Sequence, residues 1–300
     1  MSGDLLPQLR ERFGGPGLSF SQLDSGPVLH VDTAHCTAAV AFHGAHILSW
    51  APKNAAEVLF TSQKSIFQSG VPVRGGVPVC WPWFNAHPSD AAAYAHGFAR
   101  RSLWRLEEAS CGSAYTTVCF ALVGDAGVFP HWPHPVDVRL TIRLGEVLEM
   151  ALQTVNRSDT PFVVAQALHT YFAVGDIHTA TVIGLEGGHY QDDVAGGTRA
   201  LQNGPISFGP ELDRVYLDTA ATCWVVDPAL QRRIRIEKEG SQTTVVWNPG
   251  AALAAKMSDM EPGGHQRFVC VEATNALDDQ RRILPGESHS LLQRISCEPL

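Results

Sequence analysis

The 300-residue sequence predicts an all-β fold, a large antiparallel β-sandwich with few short helices. Three observations point there. Apolar residues recur at every second position over several segments, Gly and Pro turn signals recur throughout, and helical periodicity beyond ten residues is nearly absent. Alternation marks strands with one buried and one wet face, as antiparallel sheets have. Many such strands bury their apolar faces most simply as two sheets packed together.

In chain order, Leu5–Phe13 can form a short helix, and strand-like runs follow at residues 28–32 and 114–123. Val136, Val138, Leu140, Ile142 and Leu144 then alternate with Asp137, Arg139, Thr141 and Arg143. Gly145-Glu146 turns the chain into Leu148, Met150 and Leu152, giving an antiparallel hairpin. Residues 162–174 form a long apolar run. Ile234 and Ile236 alternate with Arg233, Arg235 and Glu237, and Glu239-Gly240-Ser241 leads into Thr243, Val245 and Trp247, which reads as a second hairpin. Runs at 266–274 and 288–295 complete the set. No composition shift marks a linker, so one domain is expected over 1–300, with 1–25 as an N-terminal extension carrying the short helix. No repeat of fixed period points to a propeller.

Composition narrows the function. An apolar content of 45% supports a large core, and 17% charged residues suit a compact enzyme-like globule. A formal net charge of −8 with no Lys/Arg run argues against nucleic acid or anionic membrane as a partner. No apolar stretch approaches the ~20 residues of a spanning helix, and the first residues lack the layout of a signal peptide. The seven cysteines show no CxxC pair. Reduced thiols and a cytoplasmic location are expected, without a disulfide framework or a zinc site.

Residues 70–100 hold the densest chemistry. Pro72, Pro78 and Pro82 would each remove a ladder donor from a core strand, and Trp81, Trp83 and Phe84 do not suit a disordered linker. The segment reads as a rigid, aromatic wall of a pocket, with Arg74, Arg100 and His96 set into it. Arginine forks match phosphate or carboxylate oxygens, although an isolated arginine more often serves a structural ion pair. Gly75-Gly76, next to Arg74, is where a ligand could approach the backbone. His169 lies in an apolar strand that would place Ala167, His169 and Tyr171 on one face. It is either a hydrogen-bonded core residue or a functional one. Glu272 is the sharper case, because a carboxylate within the apolar run 269–274 is costly unless it has an arginine partner or faces a wet pocket. Asp213 stands at the start of a strand, where a cap or turn role is the default. His43 and His46, like His131 and His134, have metal-like spacing but no helix and no third ligand. They read as surface or core-edge histidines.

Several blocks in order resemble the hexose-6-phosphate mutarotases (glucose-6-phosphate 1-epimerases), a branch of the aldose 1-epimerase superfamily. They are Val73-Arg74-Gly75-Gly76-Val77-Pro78, His96-Gly97-Phe98-Ala99-Arg100, Leu168-His169-Thr170-Tyr171-Phe172, Asp213-Arg214-Val215-Tyr216, Val245-Val246-Trp247-Asn248-Pro249, Val271-Glu272 and Leu284-Pro285-Gly286-Glu287. The resemblance implies a galactose-mutarotase-like sandwich with a small-molecule sugar phosphate across a concave sheet, and no metal or cofactor; separately, a monomer is expected. By position, His169 looks like the general acid, Glu272 like the general base, and His96 like a second histidine near the ring. Asp213 matches a residue that hydrogen-bonds the sugar, and Arg74 and Arg100 match the arginines expected to hold the phosphate. Ala95 departs from the polar glutamine often found before the HGFAR block, which bears on sugar preference. A mutarotase of unphosphorylated aldoses and a non-catalytic sugar-phosphate binder are the competing readings. A glycoside hydrolase fits less well, since it wants two carboxylates and Glu272 alone stands out.

Overall fold

A computed structural model describes residues 5–122, 129 and 131–300. Val123, the end of the expected run 114–123, and residues 1–4 of the expected extension lie outside them.

The alternating segments form two large antiparallel sheets. The nine-stranded sheet runs from Ile206–Ser207 through Thr181–Ile183, Cys223–Asp227, Arg232–Glu239, Ser288–Pro299, Val147–Asn156, Val136–Gly145 and Tyr115–Leu122 to Trp104–Cys111. The eight-stranded sheet runs from Thr198–Leu201 through His189–Asp192, Leu212–Tyr216, Thr243–Asn248, Phe268–Asn275 and Gln166–Leu168 to Val79–Cys80, with Tyr171–Ala173 also on Phe268–Asn275. The all-β expectation holds. The core draws on both sheets, with Leu140, Ile142, Met150 and Leu152 of one and Leu168, Val246, Val271 and Ala273 of the other buried in a single cluster. Full burial of such a side chain is worth about 1.5–3 kcal/mol.

A four-stranded sheet, Leu18–Leu23, Gly26–Asp32, Cys36–Ala41 and His46–Pro52, joins the same core. The helix Leu5–Phe13 lies where expected and buries Leu9. No helix among the described residues is long and apolar enough to cross a membrane.

Two local expectations are corrected. Arg232–Glu239 and Thr243–Asn248 are not a hairpin: they pair in different large sheets, and the chain crosses from one to the other at Gly240. Gly240 has φ 70°, and a Cβ there would sit 2.0 Å from the Ser290 carbonyl oxygen, so only glycine fits this crossing. The run 162–174 is not one strand. It breaks into Phe162–Val164, Gln166–Leu168 and Tyr171–Ala173, and His169 falls in the last break.

Candidate active site

The eight-stranded sheet aligns its functional side chains by register alone. Residues directly opposite on antiparallel strands share a face. Val215 pairs with Val245 and Val245 with Glu272; Asp213 pairs with Trp247, Trp247 with Cys270, and Cys270 with Tyr171. Leu168 lies opposite Ala273 and Tyr171 opposite Cys270, so His169 falls opposite Glu272. Two rows therefore cross one face, one ending in Glu272 and His169, the other running from Asp213 to Tyr171. Their neighbours Leu168, Phe172, Val246, Val271 and Ala273 occupy the opposite face and build the core.

A cleft of about 450 Å³ opens over these rows, lined among others by His169, Glu272, Asp213, His96, Arg74 and Arg100. All six expected site residues, drawn from positions 74 to 272, thus meet in one place. The volume falls within the range of small-molecule sites.

The segment 70–100 forms the adjoining wall, but its tryptophans do not line the cleft. Trp81 is fully buried and donates from Nε1 to Thr154 Oγ1 at 3.0 Å, pinning the segment to the nine-stranded sheet. Trp83 donates to the Tyr94 carbonyl at 2.8 Å. The aromatic surface facing the cleft is Phe84, Tyr171 and Trp247. Nor does Gly75-Gly76 admit a ligand, because a Cβ on Gly75 would meet the Phe60 carbonyl oxygen at 2.3 Å and one on Gly76 that of Ile47 at 2.1 Å.

Glu272 is 1% exposed, and its only ion-pair contact among the described residues is His169, Nδ1 to Oε1 at 3.3 Å. The alignment is not that of a hydrogen bond, and His169 Nδ1 and Glu272 Oε2 are buried without partners. Among the described residues no arginine pairs with the carboxylate. Burial, reinforced by the charge of Asp213, pushes the Glu272 pKa well up against a smaller opposing pull from Arg100. Burial also pushes His169 well down, with His96, Arg100 and Arg74 adding to it. Tyr171 stacks on the His169 ring at 5.0 Å and Trp247 meets it edge-on at 5.8 Å, so the imidazole has little freedom to rotate.

His96 adopts a left-handed backbone (φ 62°) beside Gly97. The Asn85 N–H donates to its Nδ1 at 3.3 Å, leaving the proton on Nε2. Burial and the nearby arginines lower its pKa to about 3, so it is a neutral donor 5.9 Å from the His169 ring. Asp213 is raised to about 7, by burial first and then by Asp193, Glu211 and Asp192.

Arg74 combines both sequence readings. It lines the cleft, yet its Nε and Nη2 each lie 3.2 Å from Asp259 Oδ2, and its Nη1 donates to the Tyr171 hydroxyl at 3.1 Å. Arg100, on the 3₁₀ turn Ala99–Arg101, donates to the Ala95 carbonyl at 3.0 Å. Sequence reasoning missed Asp259, Trp247 and Arg101 as lining residues. Strand alternation could have found Trp247, two residues from Val245. Asp259 lies in a loop with no such signal.

His43 and His46 are buried, not peripheral. His43 Nε2 lies 3.0 Å from the Arg101 carbonyl oxygen and His46 Nε2 2.7 Å from that of Gly75, so both brace the cleft wall. Among the described residues no group of three His, Cys, Asp or Glu could hold a metal.

A carboxyl, an imidazole and a neutral histidine lie together above an aromatic floor on one sheet of an antiparallel sandwich, an arrangement able to exchange protons with a small polar ligand. The aldose 1-epimerase family model matches residues 27–296, and the chain belongs to that family of sugar epimerases. It is 38% identical over 267 residues, 89% of each chain, to an Escherichia coli protein named "Putative glucose-6-phosphate 1-epimerase". A relative of the same name from Cenchrus ciliaris is 32% identical, with 84% of this chain and 79% of that one covered. The crystal structure of "a putative mutarotase (YeaD)" from Salmonella typhimurium superposes with a TM-score of 0.89 at 33% identity, covering 95% of both chains.

Proposed function

We propose that the protein interconverts the α and β anomers of a hexose 6-phosphate, glucose 6-phosphate first among them, by acid/base-catalysed ring opening. The observation that carries this reading is the unneutralised Glu272–His169 pair set beside an arginine-bearing wall. Relatives named for glucose 6-phosphate support the choice of sugar.

Anomer exchange needs a base at the anomeric hydroxyl and an acid at the ring oxygen. Glu272 takes the O1 proton while His169 protonates O5, the C1–O5 bond opens, and the aldehyde turns about C1–C2. Closure on the other face reverses both transfers, and each group can supply roughly 10²–10⁴-fold. Burial favours the neutral acid and the neutral imidazole. That state holds the same number of protons as a carboxylate facing an imidazolium. The two forms differ only in where one proton sits, on Glu272 or on His169. A sugar hydroxyl donating to Glu272, and a phosphate offsetting the arginine charges near His169, both favour the charged form. His96 is suited to donate to the ring or a neighbouring hydroxyl, and Asp213 to accept from the sugar. Arg74 and Arg100 place cationic groups where the phosphate would be received, and its binding energy orients a ring that reacts at the far end. The enzyme would act as a cytoplasmic monomer.

The test is the α/β exchange rate of glucose 6-phosphate against free glucose at matched concentration, by exchange NMR. A larger kcat/KM for the phosphorylated sugar is expected. Equal values would favour a mutarotase of free aldoses, and binding without acceleration would favour a non-catalytic sugar-phosphate binder.

A further inference from the structure

We propose that Gln293 is a positioning residue for the reaction. From the nine-stranded sheet it ties together the two backbone segments that carry His169 and Glu272, and so sets the separation of the acid and the base. The proposal rests on the ring-opening reading and adds to it the part of the core that holds the pair in place.

The pair has no hydrogen bond of its own to fix it. His169 Nδ1 and Glu272 Oε2 are buried without partners, and the 3.3 Å contact between the side chains is not aligned as a hydrogen bond. Their spacing is therefore inherited from the backbone at positions 169 and 272, and that backbone is irregular. Leu168 lies opposite Ala273 and Tyr171 opposite Cys270, which sets Thr170 opposite Val271. The Val271 N–H donates to the Thr170 carbonyl at 3.3 Å, but the Thr170 N–H turns back to the Leu168 carbonyl at 3.0 Å. A regular pair would exchange both bonds, so the Val271 carbonyl needs a donor from elsewhere.

Gln293 supplies it from the other sheet. Its Nε2 donates to the Val271 carbonyl at 3.1 Å, and its Oε1 accepts from the Thr170 hydroxyl at 2.5 Å. One side-chain amide thus grips the residue after His169 and the residue before Glu272. Gln293 and Thr170 are both fully buried. On its strand, Ser288–Pro299, Gln293 stands between Leu291 and Ile295 on the inward face, where alternation calls for an apolar side chain. A buried amide is costly there unless its hydrogen bonds are met. Both of its side-chain bonds among the described residues run to the flanks of the His169–Glu272 pair. The grip comes from the core side of the sheet, whereas substrate would meet the cleft side. Its loss should therefore alter the rate of proton transfer and leave sugar binding nearly unchanged.

The experiment compares wild type with Gln293→Met, Thr170→Val and Thr170→Ser, with circular dichroism confirming folding. Met and Val keep the bulk and remove the bonds, while Ser keeps the hydroxyl. Exchange NMR on glucose 6-phosphate should show kcat lowered roughly 10–100-fold in Gln293→Met and Thr170→Val, with KM within about threefold of wild type. Thr170→Ser should keep kcat within about threefold of wild type. The imidazole nitrogen NMR signals of His169 should shift in the first two variants and hold their wild-type positions in Thr170→Ser. Wild-type kcat in folded Gln293→Met and Thr170→Val, a raised KM with unchanged kcat, or unmoved His169 signals would each overturn the proposal. If Gln293→Met does not fold, the two Thr170 variants decide, and equal rates in them overturn it. The same signals separate this from the parent reading. Absence of acceleration by the wild type sinks the mutarotase assignment, and the His169 signals then support or overturn the bridge by themselves.

Discussion

His169 and Glu272 face each other across neighbouring strands, 3.3 Å apart and without hydrogen-bond alignment. The arrangement leaves a carboxyl group in the sheet whose neutral form burial favours. Because its folded pKa is raised, Glu272 contributes stability below the ordinary carboxyl range and loses it as pH rises towards the folded value. Glu272→Gln removes a group that is costly to ionise, so the ligand-free variant should melt at or above the wild-type temperature near neutral pH. Scanning calorimetry checks this; a clear drop in Tm would mean that Glu272 supports the fold as a buried anion.

Asp213 gives a second pH signature. Its pKa rises from 3.8 to about 7 on folding, so the folded protein binds more protons than the unfolded chain between those values. Its contribution to stability is full below about pH 4 and is lost as pH climbs through about 7. Asp213→Asn should flatten this part of the stability curve, measured by urea unfolding across the window. An unchanged slope would show that Asp213 titrates normally.

Gly97 is where the cleft wall meets the core. It has φ 72°, and a Cβ would lie 1.9 Å from the Trp81 carbonyl oxygen. Gly97→Ala should cost at least about 1–2 kcal/mol from the backbone conformation alone, and more from the clash. It should also lower kcat by displacing His96. Urea denaturation with parallel kinetics tests both, and wild-type behaviour in both would contradict the bracing role given to Trp81.

Asp259 holds the charge of Arg74. Asp259→Asn should free that cation and tighten inorganic phosphate binding, while loosening Tyr171 and the stack on His169 and so lowering kcat. Calorimetry and steady-state kinetics should move in these opposite directions. Weaker phosphate binding would mean that Asp259 shapes the pocket rather than balancing Arg74.

The fold class was legible because alternation along Val136–Gly145 and Val147–Asn156 is undiluted, one face being core and the other wet. The strand Phe268–Asn275 is buried on both faces, so its run showed that Glu272 was anomalous without showing what it faced. His169 could be placed on a face from Tyr171 two residues on, yet nothing local signalled the break that carries it. The crossing at Gly240 looked like a hairpin turn because turn residues do not state which sheet receives the next strand. The partners that decide the arginine roles, Asp259 for Arg74 and the Ala95 carbonyl for Arg100, are tertiary and silent in the sequence.

The central claim is that Glu272 and His169 open the ring together. Exchange NMR on the anomers of glucose 6-phosphate, with wild type, Glu272→Gln and His169→Ala at equal concentration, tests it most directly. Wild-type acceleration that falls at least about 100-fold in each folded variant is the predicted result. Acceleration retained in both variants would contradict it.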